Sequence, residues 1–311
     1  MGIIKAICIS GQKGTQKRPV PSALLRADWG IEGDAHAGKW HRQVSLLSAE
    51  KIDAFRSKGA QVAPGAFGEN LVVEGFDFRA LPVGTRFQCG EVLLEMTQIG
   101  KECHSHCAIY HAMGECIMPR EGVFARVLRG GELHVGDELT MLPPAADAPL
   151  RAAVITLSDK GSRGERVDES GPLLCSMLTG AGYEVVEQLL LPDEPERLQA
   201  ELIRLADGRQ CALVLTTGGT GFSPRDRTPE ATLAVADRNA PGIAEAIRAY
   251  SLRITDRAML SRGVSVLRGS TLIVNLPGSP KAAREGLECI LPALGHGLEV
   301  LRGTAGDCGR R

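Results

Sequence analysis

The sequence predicts two domains of different class: a mainly β barrel, followed by an α/β layered domain with a largely parallel sheet. The length of 311 residues exceeds the size at which one hydrophobic core keeps growing. Short β-branched runs precede residue 143, whereas buried-type strands alternate with helices after it. The segment 143–149, Pro-Pro-Ala-Ala-Asp-Ala-Pro, favours an extended linker. We therefore expect domains over 1–142 and 150–304, with a tail over 305–311.

Short apolar runs with glycine or proline between them predict the strands of the first domain. This pattern is typical of a barrel or a sandwich. We expect strands at 3–9, 43–47 and 92–96, with a helix at 48–57 and a turn near residue 120.

The second domain has strand runs that are apolar throughout, which indicates a parallel sheet covered on both faces. Its first strand is expected at 152–157, and Ser170 with Pro172 two residues later predicts the start of a helix. Further strands are expected at 184–190, 211–217 and 270–276, and further helices at 196–206, 228–237, 242–254 and 279–294.

Composition excludes several classes of function. Lysine and arginine total 36 against 37 aspartates and glutamates, so the chain lacks the basic excess of a nucleic-acid binder. No apolar run approaches the roughly 20 residues that span a bilayer, and no signal peptide is recognisable, so we expect a cytoplasmic protein. Nine cysteines in such a chain favour thiol, metal or sulfur chemistry over disulfides.

Glycines crowd the segment 216–231, which follows a predicted buried strand and leads into a helix that we expect Thr228 to cap. Gly218, Gly219 and Gly221 flank Thr220 within four positions, and such a turn lets main-chain N–H groups approach phosphate oxygens. The turn is therefore predicted to cradle an anion.

Charged residues beside this turn strengthen the prediction. Asp226 is the hard ligand that a Mg²⁺ bridging nucleotide phosphates prefers, and Arg225 and Arg227 can offset phosphate charge. The alternative is an ordinary glycine-rich turn between a strand and a helix, which the arginines and the aspartate together disfavour.

Motifs over about 151–303 resemble, in order, those of the MogA/MoaB family. Besides 216–231 they are Leu-Ser-Asp at 157–159, Asp-Glu-Ser-Gly-Pro at 168–172, Leu-Pro-Asp-Glu at 191–194, Met-Leu-Ser-Arg at 259–262 and Asn-Leu-Pro-Gly-Ser-Pro at 275–280. The resemblance implies an adenylyltransferase: the terminal phosphate of molybdopterin attacks the α-phosphate of Mg-ATP, and pyrophosphate leaves.

The same resemblance implies roles for individual residues. Asp193 and Asp226 match the catalytic acidic positions, and both are implied Mg²⁺ ligands. The implied substrate and nucleotide positions are Ser158, Asp159, Asp168, Ser170, Gly171, Gly218, Gly219, Thr220, Gly221, Arg225, Ser261, Pro277, Gly278 and Ser279.

Several of these residues have a structural alternative as helix caps. Asp193 could cap the helix after Pro195, and Ser279 could cap the last helix with Pro280 at its first position. Asp168 and Ser170 precede or open another helix and could serve it in the same way.

Sulfur and imidazole groups cluster at 101–107, Lys-Glu-Cys-His-Ser-His-Cys, with Cys116 soon after. The spacing of Cys103 and Cys107 suits zinc, with Cys116 or a histidine completing four ligands. Alternatively, one thiol is reactive, because the flanking lysine and histidines would lower its pKa. A third alternative, buried inert thiols, suits isolated cysteines better.

Four motifs of the first domain resemble the MOSC domain: Gly-Ile-Glu-Gly-Asp-Ala-His-Ala-Gly at 30–38, Arg-Gln-Val-Ser-Leu-Leu at 42–47, Gly-Ala-Phe-Gly-Glu-Asn-Leu at 65–71 and Val-Gly-Asp-Glu at 135–138. The resemblance implies a β-rich barrel that binds molybdenum cofactor or carries sulfur on a cysteine. Cys103 matches that cysteine best, and Cys107 and Cys116 depart from the simplest pattern. His36 and Arg42 are implied contacts for an anionic ligand.

Together the two resemblances imply a fused protein of molybdenum cofactor biosynthesis. The expected cofactors and substrates are Mg²⁺, ATP and molybdopterin, with zinc as a further candidate at the cysteine cluster. The resemblance also implies a homo-oligomer, a trimer, and a molybdenum insertase (MoeA-like) downstream. Fusion would raise the effective concentration of an intermediate that passes between the sites.

Three alternatives stay open at this stage. The chain could be a carrier that binds molybdopterin without transferring AMP. Its first domain could be a zinc-stabilised interaction module without chemistry of its own. The second domain could have a MoaB-like role with different nucleotide chemistry.

Overall fold

The computed structural model describes residues 1–101, 108–143 and 149–302. The chain divides into two compact units, Met1–Asp147 and Ala148–Arg311. Residues 144–148 of the expected linker lie outside the described residues, so the linker bounds stay a prediction. Among the helices of the described residues, none combines the length and the apolar character that crossing a bilayer requires.

The first unit is built mainly from strands. Its described elements are β1 (Gly2–Ile9), β2 (Arg18–Val20), β3 (Ser22–Arg26), β4 (Gly30–Ile31), β5 (Val44–Ser48), α1 (Ala49–Arg56), β6 (Leu71–Glu74), β7 (Arg86–Cys89), β8 (Val92–Ile99), α2 (Ala108–Met113), α3 (Met118–Glu121), β9 (Val123–Arg129), β10 (Gly131–His134) and β11 (Glu138–Met141).

Seven of these strands close into a barrel, which confirms the predicted fold of this unit. The hydrogen-bonded order is β11-β7-β8-β9-β5-β6-β1, and β1 also pairs with β11 to complete the ring. The pair β5–β6 is parallel, and the other pairs of the ring are antiparallel. Ring closure satisfies the backbone groups that an edge strand would expose.

Apolar side chains of the barrel strands fill one continuous core. Phe76, Phe78 and Phe87 pack there in tilted and edge-to-face arrangements, with ring centroids 5.3 to 5.7 Å apart. A second cluster forms where Ile52 and Phe55 of α1 pack beside Leu47, Val72 and other strand residues. The amphipathic helix therefore covers apolar surface that the strands leave outside the first core.

A buried ion pair between Lys17 and Asp34 lies among the loops of the first unit. Lys17 Nζ lies 2.5 Å from Asp34 Oδ2, and neither side chain is more than 1% exposed. Main-chain N–H of Ser10 and Asn70 Nδ2 also donate to Oδ2, each at 3.1 Å. Burial opposes ionisation of Asp34, but hydrogen bonds from His36 and Lys17 hold its carboxyl pKa below the ordinary range. The charge of each partner therefore depends on the other.

Replacing Lys17 with methionine should lower the unfolding free energy of the first unit by about 3–5 kcal/mol, because Asp34 would stay buried without a counter-charge. The double variant Lys17→Met/Asp34→Asn should recover part of this loss. Both tryptophans, Trp29 and Trp40, belong to this unit, so tryptophan fluorescence during urea denaturation of the full chain follows its unfolding. A double variant no more stable than Lys17→Met would contradict the unpaired charge as the cause.

The second unit alternates strands and helices. Its described elements are β12 (Arg151–Leu157), α4 (Asp159–Ser162), α5 (Ser170–Gly180), β13 (Glu184–Leu191), α6 (Pro195–Ile203), β14 (Leu213–Thr217), α7 (Thr228–Ala234), β15 (Arg238–Asn239), α8 (Pro241–Leu252), β16 (Ser265–Arg268), β17 (Thr271–Leu276) and α9 (Pro280–Leu301).

A six-stranded sheet in the order β13-β12-β14-β17-β16-β15 forms the middle layer. The first four strands are parallel, and β16 and β15 add an antiparallel edge. One face packs Val154, Leu215 and Val274 against residues of α5, α8 and α9. The other face packs Ile155 and Val214 against residues of α6 and α7. The predicted α/β layered fold with a largely parallel sheet is confirmed.

Several features of this unit differ from the sequence prediction, among them β16 and the short helix α4, for which no element was predicted. The edge strand β15 has only two residues, both exposed and polar, so no apolar run marks it. Helix α9 continues past Pro292 to Leu301, well beyond the expected end at 294. Leu294 and Leu298 are buried in the core, and this packing outweighs the local helix-breaking tendency.

Candidate active site

A cleft of about 740 Å³ opens at the edge of the second unit's sheet where the parallel strands end. Open α/β sheets bind ligands at this edge because their strand-to-helix loops meet there. Of the residues predicted from the sequence, the cleft brings together Ser158, Asp168, Ser170, Asp193, Gly218, Gly219, Asp226, Gly278 and Ser279.

The turn after β14 follows a backbone path that leaves no room for a side chain at Gly218 or Gly219. Gly218 and Gly219 have φ angles of +106° and +63°. A Cβ at 218 would lie 2.3 Å from the carbonyl oxygen of Leu157, and a Cβ at 219 would lie 2.3 Å from Thr228 Oγ1. Glycine alone reconciles this backbone path with such close neighbours.

The same turn presents unused donors. Thr228 N donates to Gly219 O at 3.2 Å and fixes the turn against the start of α7. The main-chain N–H groups of Gly219, Thr220 and Gly221 donate no hydrogen bond to any described residue. Buried or half-buried N–H groups in a turn of this kind are suited to bind an anion.

Asp159 and Asp193 hold each other through reciprocal main-chain hydrogen bonds. Asp159 N donates to Asp193 Oδ2 at 3.0 Å, and Asp193 N donates to Asp159 Oδ1 at 3.1 Å. The loops after β12 and β13 are therefore joined, and Asp193 is fixed in the cleft wall.

Arg225 pairs with Asp159 in a two-pronged contact. Its Nε and Nη2 atoms lie 2.8 to 3.0 Å from the two carboxylate oxygens. The guanidinium holds the pKa of the Asp159 carboxyl below its usual range. An anion that binds Arg225 must therefore share or displace Asp159.

Negative charge concentrates at Asp193 and Asp226. Burial raises the pKa of Asp193, and the charges of Asp159 and Asp226 add to this rise, although the N–H of Asp159 and the charge of Arg225 oppose it. Asp226 Oδ2 accepts the N–H of Ser223 at 3.0 Å. Each of the two carboxylates uses one oxygen in these contacts, which leaves the other oxygen for a ligand.

Asp168 and Thr156 form the floor of the cleft near the start of α5. Asp168 Oδ1 accepts the N–H of Gly171 at 2.9 Å, while Asp168 Oδ2 and Thr156 Oγ1 are buried without a hydrogen-bond partner in the described residues. A Cβ at Gly171 would lie 2.4 Å from Asp168 Oδ2. Ser170 Oγ donates to Gly278 O at 3.0 Å and joins this floor to the loop after β17.

The loop after β17 completes the cleft. Thr217 Oγ1 donates to Pro277 O at 2.6 Å, and a Cβ at Gly278 would lie 3.2 Å from Gly218 Cα. Ser279 Oγ accepts the N–H of Ala282 at 3.3 Å, so the predicted N-cap of α9 is confirmed.

Three other predicted caps are wrong. Glu194 occupies the N-cap position of α6, and the Asp193 carboxylate binds Asp159 N instead. Thr228 is the first residue of α7, after Arg227 at the N-cap position, and its N–H donates to Gly219 O. Helix α5 begins at Ser170, as predicted, but Glu169 occupies its N-cap position, and Ser170 Oγ donates to Gly278 O. Ser261, which follows the 3₁₀ turn Asp256–Leu260, is not among the described residues that line the cleft.

The sites predicted in the first unit are described only in part. His36 Nδ1 lies 3.3 Å from Asp34 Oδ1, and the Arg42 guanidinium lies over the rings of Trp40 and Phe124 at 4.8 and 5.6 Å. Cys116 is half-buried beside the apolar cluster of α1. Cys103 and Cys107 lie outside the described residues, so the cysteine cluster stays a prediction.

Two family models match the chain. Residues 153–296 match the model described as "Probable molybdopterin binding domain", and residues 33–140 match the MOSC domain. The chain is 46% identical to the molybdopterin adenylyltransferase of Escherichia coli K12 over 150 residues, which are 47% of this chain and 76% of that protein. It is 38% identical to the Helicobacter pylori J99 protein of the same name over 157 residues, 50% of this chain and 89% of that one.

Through its C-terminal domain the chain belongs to the MogA/MoaB family. Its N-terminal domain is a MOSC domain. Among solved structures, the chain is similar to the molybdopterin biosynthesis enzyme MoaB from Thermus thermophilus, with 51% identity, 50% of this chain and 97% of that chain covered, and a TM-score of 0.48.

The MogA/MoaB-like domain offers two carboxylates for a cation rather than a complete cage. Within residues 1–101, 108–143 and 149–302, no group of three or more His, Cys, Asp or Glu side chains is arranged to hold a metal. Asp193 and Asp226 each keep one carboxylate oxygen without a described contact, and Mg²⁺ commonly binds one or two carboxylates and completes its shell with phosphate and water. Their mutual repulsion is what a divalent cation would relieve.

Sequence reasoning missed part of the cleft. Thr156 lies in a buried strand that is otherwise largely apolar, so the pattern predicts a core position for it, and Arg166 and Val167 lie in a loop without a motif. Leu190 also lines the cleft from the end of β13. A polar residue at the end of an otherwise apolar strand, as Thr156 is, was the available signal.

Replacing Gly218 with alanine should destabilise the MogA/MoaB-like domain by about 1–3 kcal/mol, since the residue has a positive φ and its Cβ would clash with the Leu157 carbonyl. Gly242→Ala in α8 is the matched control: no atom lies within 4 Å of its Cβ, so stability should stay or rise by up to about 1 kcal/mol. Calorimetry of the full chain would measure the melting temperature of both variants. The transition without a change in tryptophan fluorescence is assigned to this domain, because both tryptophans lie in the first unit. Equal melting temperatures for the two variants would contradict the steric argument.

Proposed function

We propose that the MogA/MoaB-like domain transfers AMP from Mg-ATP to molybdopterin. The terminal phosphate of molybdopterin would attack the α-phosphate of ATP, and pyrophosphate would leave. The main support is the convergence, in one cleft, of Asp193 and Asp226 with Gly218 and Gly219, whose turn continues into N–H groups without a partner among the described residues. The names of the relatives support the same activity.

The residues contribute positioning and charge, which are what phosphoryl-type transfer requires. The N–H groups of Gly219, Thr220 and Gly221 bind phosphate oxygens. Arg225, released in part from Asp159, offsets negative charge near them. Asp193 and Asp226 would hold Mg²⁺, which neutralises nucleotide phosphates when bound.

The far end of the cleft would receive the pterin. Thr156 Oγ1 and Asp168 Oδ2 are buried polar atoms without a partner among the described residues, and a bound heterocycle with N–H groups would satisfy them. Ser158, Ser170, Gly171, Pro277, Gly278 and Ser279 shape the surrounding wall and its loops. Ser261 contributes to the loop that precedes β16 rather than to the described wall.

Asp226→Ala should abolish pyrophosphate release, by at least about 100-fold, while leaving the fold intact, because it removes a metal ligand and no core packing. The assay uses the purified full chain with molybdopterin and Mg-ATP. Asp256→Ala, which removes an exposed carboxylate in the 3₁₀ turn, is the control and should retain activity. Normal turnover by Asp226→Ala would contradict the assignment of Asp226.

The same assay separates the rival functions. A carrier would bind molybdopterin without releasing pyrophosphate, and a domain with different nucleotide chemistry would release another product.

Sedimentation of the intact chain tests the proposed homotrimer. Transfer of the adenylylated product to a molybdenum insertase, compared between the fused and separated domains, tests whether fusion assists the transfer.

We further propose that the MOSC domain binds molybdenum cofactor or carries sulfur, with Cys103 as the main candidate thiol and Cys107 and Cys116 as alternatives. His36 and Arg42 are candidate contacts for an anionic group. Metal analysis and persulfide labelling of the full chain, with each cysteine changed to serine in turn, test this role. Stoichiometric zinc without a reactive thiol would favour a structural module instead.

A further inference from the structure

We propose that Arg262 is a positioning residue, which holds the glycine loop, and with it Asp226, in the arrangement that adenylyl transfer requires. This inference rests on the proposed function. The loop is defined as residues 219–227, between β14 and α7. Arg262 is not among the described residues that line the cleft, so its effect is exerted through the loop.

The loop has little internal support. It has no helical or strand structure, and Phe222 at its tip is exposed. Local contacts consist mainly of a tight turn in which Asp226 N donates to Ser223 O at 2.9 Å and Ser223 N donates back to Asp226 Oδ2. Such a turn fixes the Asp226 side chain relative to Ser223 but not relative to the sheet.

Arg262, in the segment that leads into β16, joins the loop to another part of the domain. Its main-chain N–H donates to Thr220 O at 3.0 Å, and its Nε donates to Gly221 O at 2.7 Å. Its Nη2 donates to the carbonyl oxygen of Asp226. One residue therefore contacts the loop near its start, at Thr220 and Gly221, and near its end, at the residue that carries the functional carboxylate.

The planar guanidinium is what makes this bridge possible. Nε and Nη2 donate to two carbonyl oxygens five residues apart, and Nη1 pairs with Glu230 in the first turn of α7. The Glu230 carboxylate thereby orients the guanidinium group of Arg262. A lysine ammonium has one nitrogen on a flexible stem and cannot reproduce the spaced pair of donors.

The side chain is also partly protected from water. Arg262 is 33% exposed, so its hydrogen bonds are less screened than those of a fully exposed arginine. On the other side of the loop, Arg225 contacts Asp159. Two residues outside the loop therefore hold it. Arg262 binds main-chain oxygens of the loop, and Asp159 binds the side chain of Arg225.

The test compares Arg262→Lys with Arg268→Lys in the full chain. Arg268 is the matched control, because it uses the same fork on Asp207 and donates to Val235 O at 2.9 Å, outside the cleft. Arg262→Lys should lower kcat by about 10- to 100-fold and raise the Mg²⁺ concentration for half-maximal rate, since loosening by about 1 Å can cost 100-fold. Arg268→Lys should leave both quantities near wild type.

Hydrogen exchange gives a readout that does not depend on activity. The hydrogen-bonded amides of Ser223, Asp226 and Thr228 should exchange faster in Arg262→Lys than in the wild type, and at the wild-type rate in Arg268→Lys. Should Arg262→Lys fail to fold, Glu230→Gln offers a milder loosening of the same fork, with the same signs expected.

The outcomes distinguish this inference from the proposed function. Equal exchange and equal kcat in Arg262→Lys and Arg268→Lys, with an active wild type, would overturn the role of Arg262. A wild-type chain that releases no pyrophosphate would overturn the proposed function, whatever the exchange of the loop shows. Loss of kcat without faster exchange would also overturn the positioning role.

Discussion

The close contact between Gly218 and the carbonyl oxygen of Leu157 is the constraint on which the cleft depends. Strands β12 and β14 are neighbours in the sheet, so the chain leaving β14 must turn directly over the end of β12. Only a residue without Cβ can make that turn. The turn then places Gly219 beside both Asp193 and Thr228, and it sets the direction in which the chain continues toward Asp226.

The parallel sheet explains why functional residues far apart in sequence meet. The loops after β12, β13, β14 and β17 all leave the same edge, and they contribute Asp159, Asp193, Gly219 and Gly278. Polar contacts between loops, rather than apolar packing, hold this edge together. In the MOSC domain, a buried ion pair between Lys17 and Asp34 joins loops of a closed barrel.

Much of this arrangement follows from sequence patterns whose physical cause is local. The apolar runs indicated the buried strands, and the crowded glycines marked a turn with special backbone angles, as Gly218 and Gly219 have. The cap at Ser279 could likewise be predicted, because the Ser-Pro pair acts within one helical turn. The two domain classes follow from the same kind of evidence.

The remainder depends on partners distant in the chain. Nothing near Arg225 in sequence indicates that Asp159, 66 residues earlier, pairs with it, and nothing near Asp193 indicates a bond to Asp159 N. The short strand β15 and the continuation of α9 past Pro292 depend on tertiary packing in the same way. Candidate residues could thus be named from the sequence, but their pairings could not.

The pairing of Arg225 with Asp159 has a consequence for selectivity. Because the guanidinium already holds a carboxylate, an incoming anion gains only the difference between its own attraction and that of Asp159. A singly charged carboxylate ligand would replace the Asp159 carboxylate with a group of the same charge, so it would gain little binding free energy. Under the proposed function, a polyphosphate would carry more charge and would also accept hydrogen bonds from the N–H groups of the glycine turn, so it would displace Asp159 more readily than a carboxylate would.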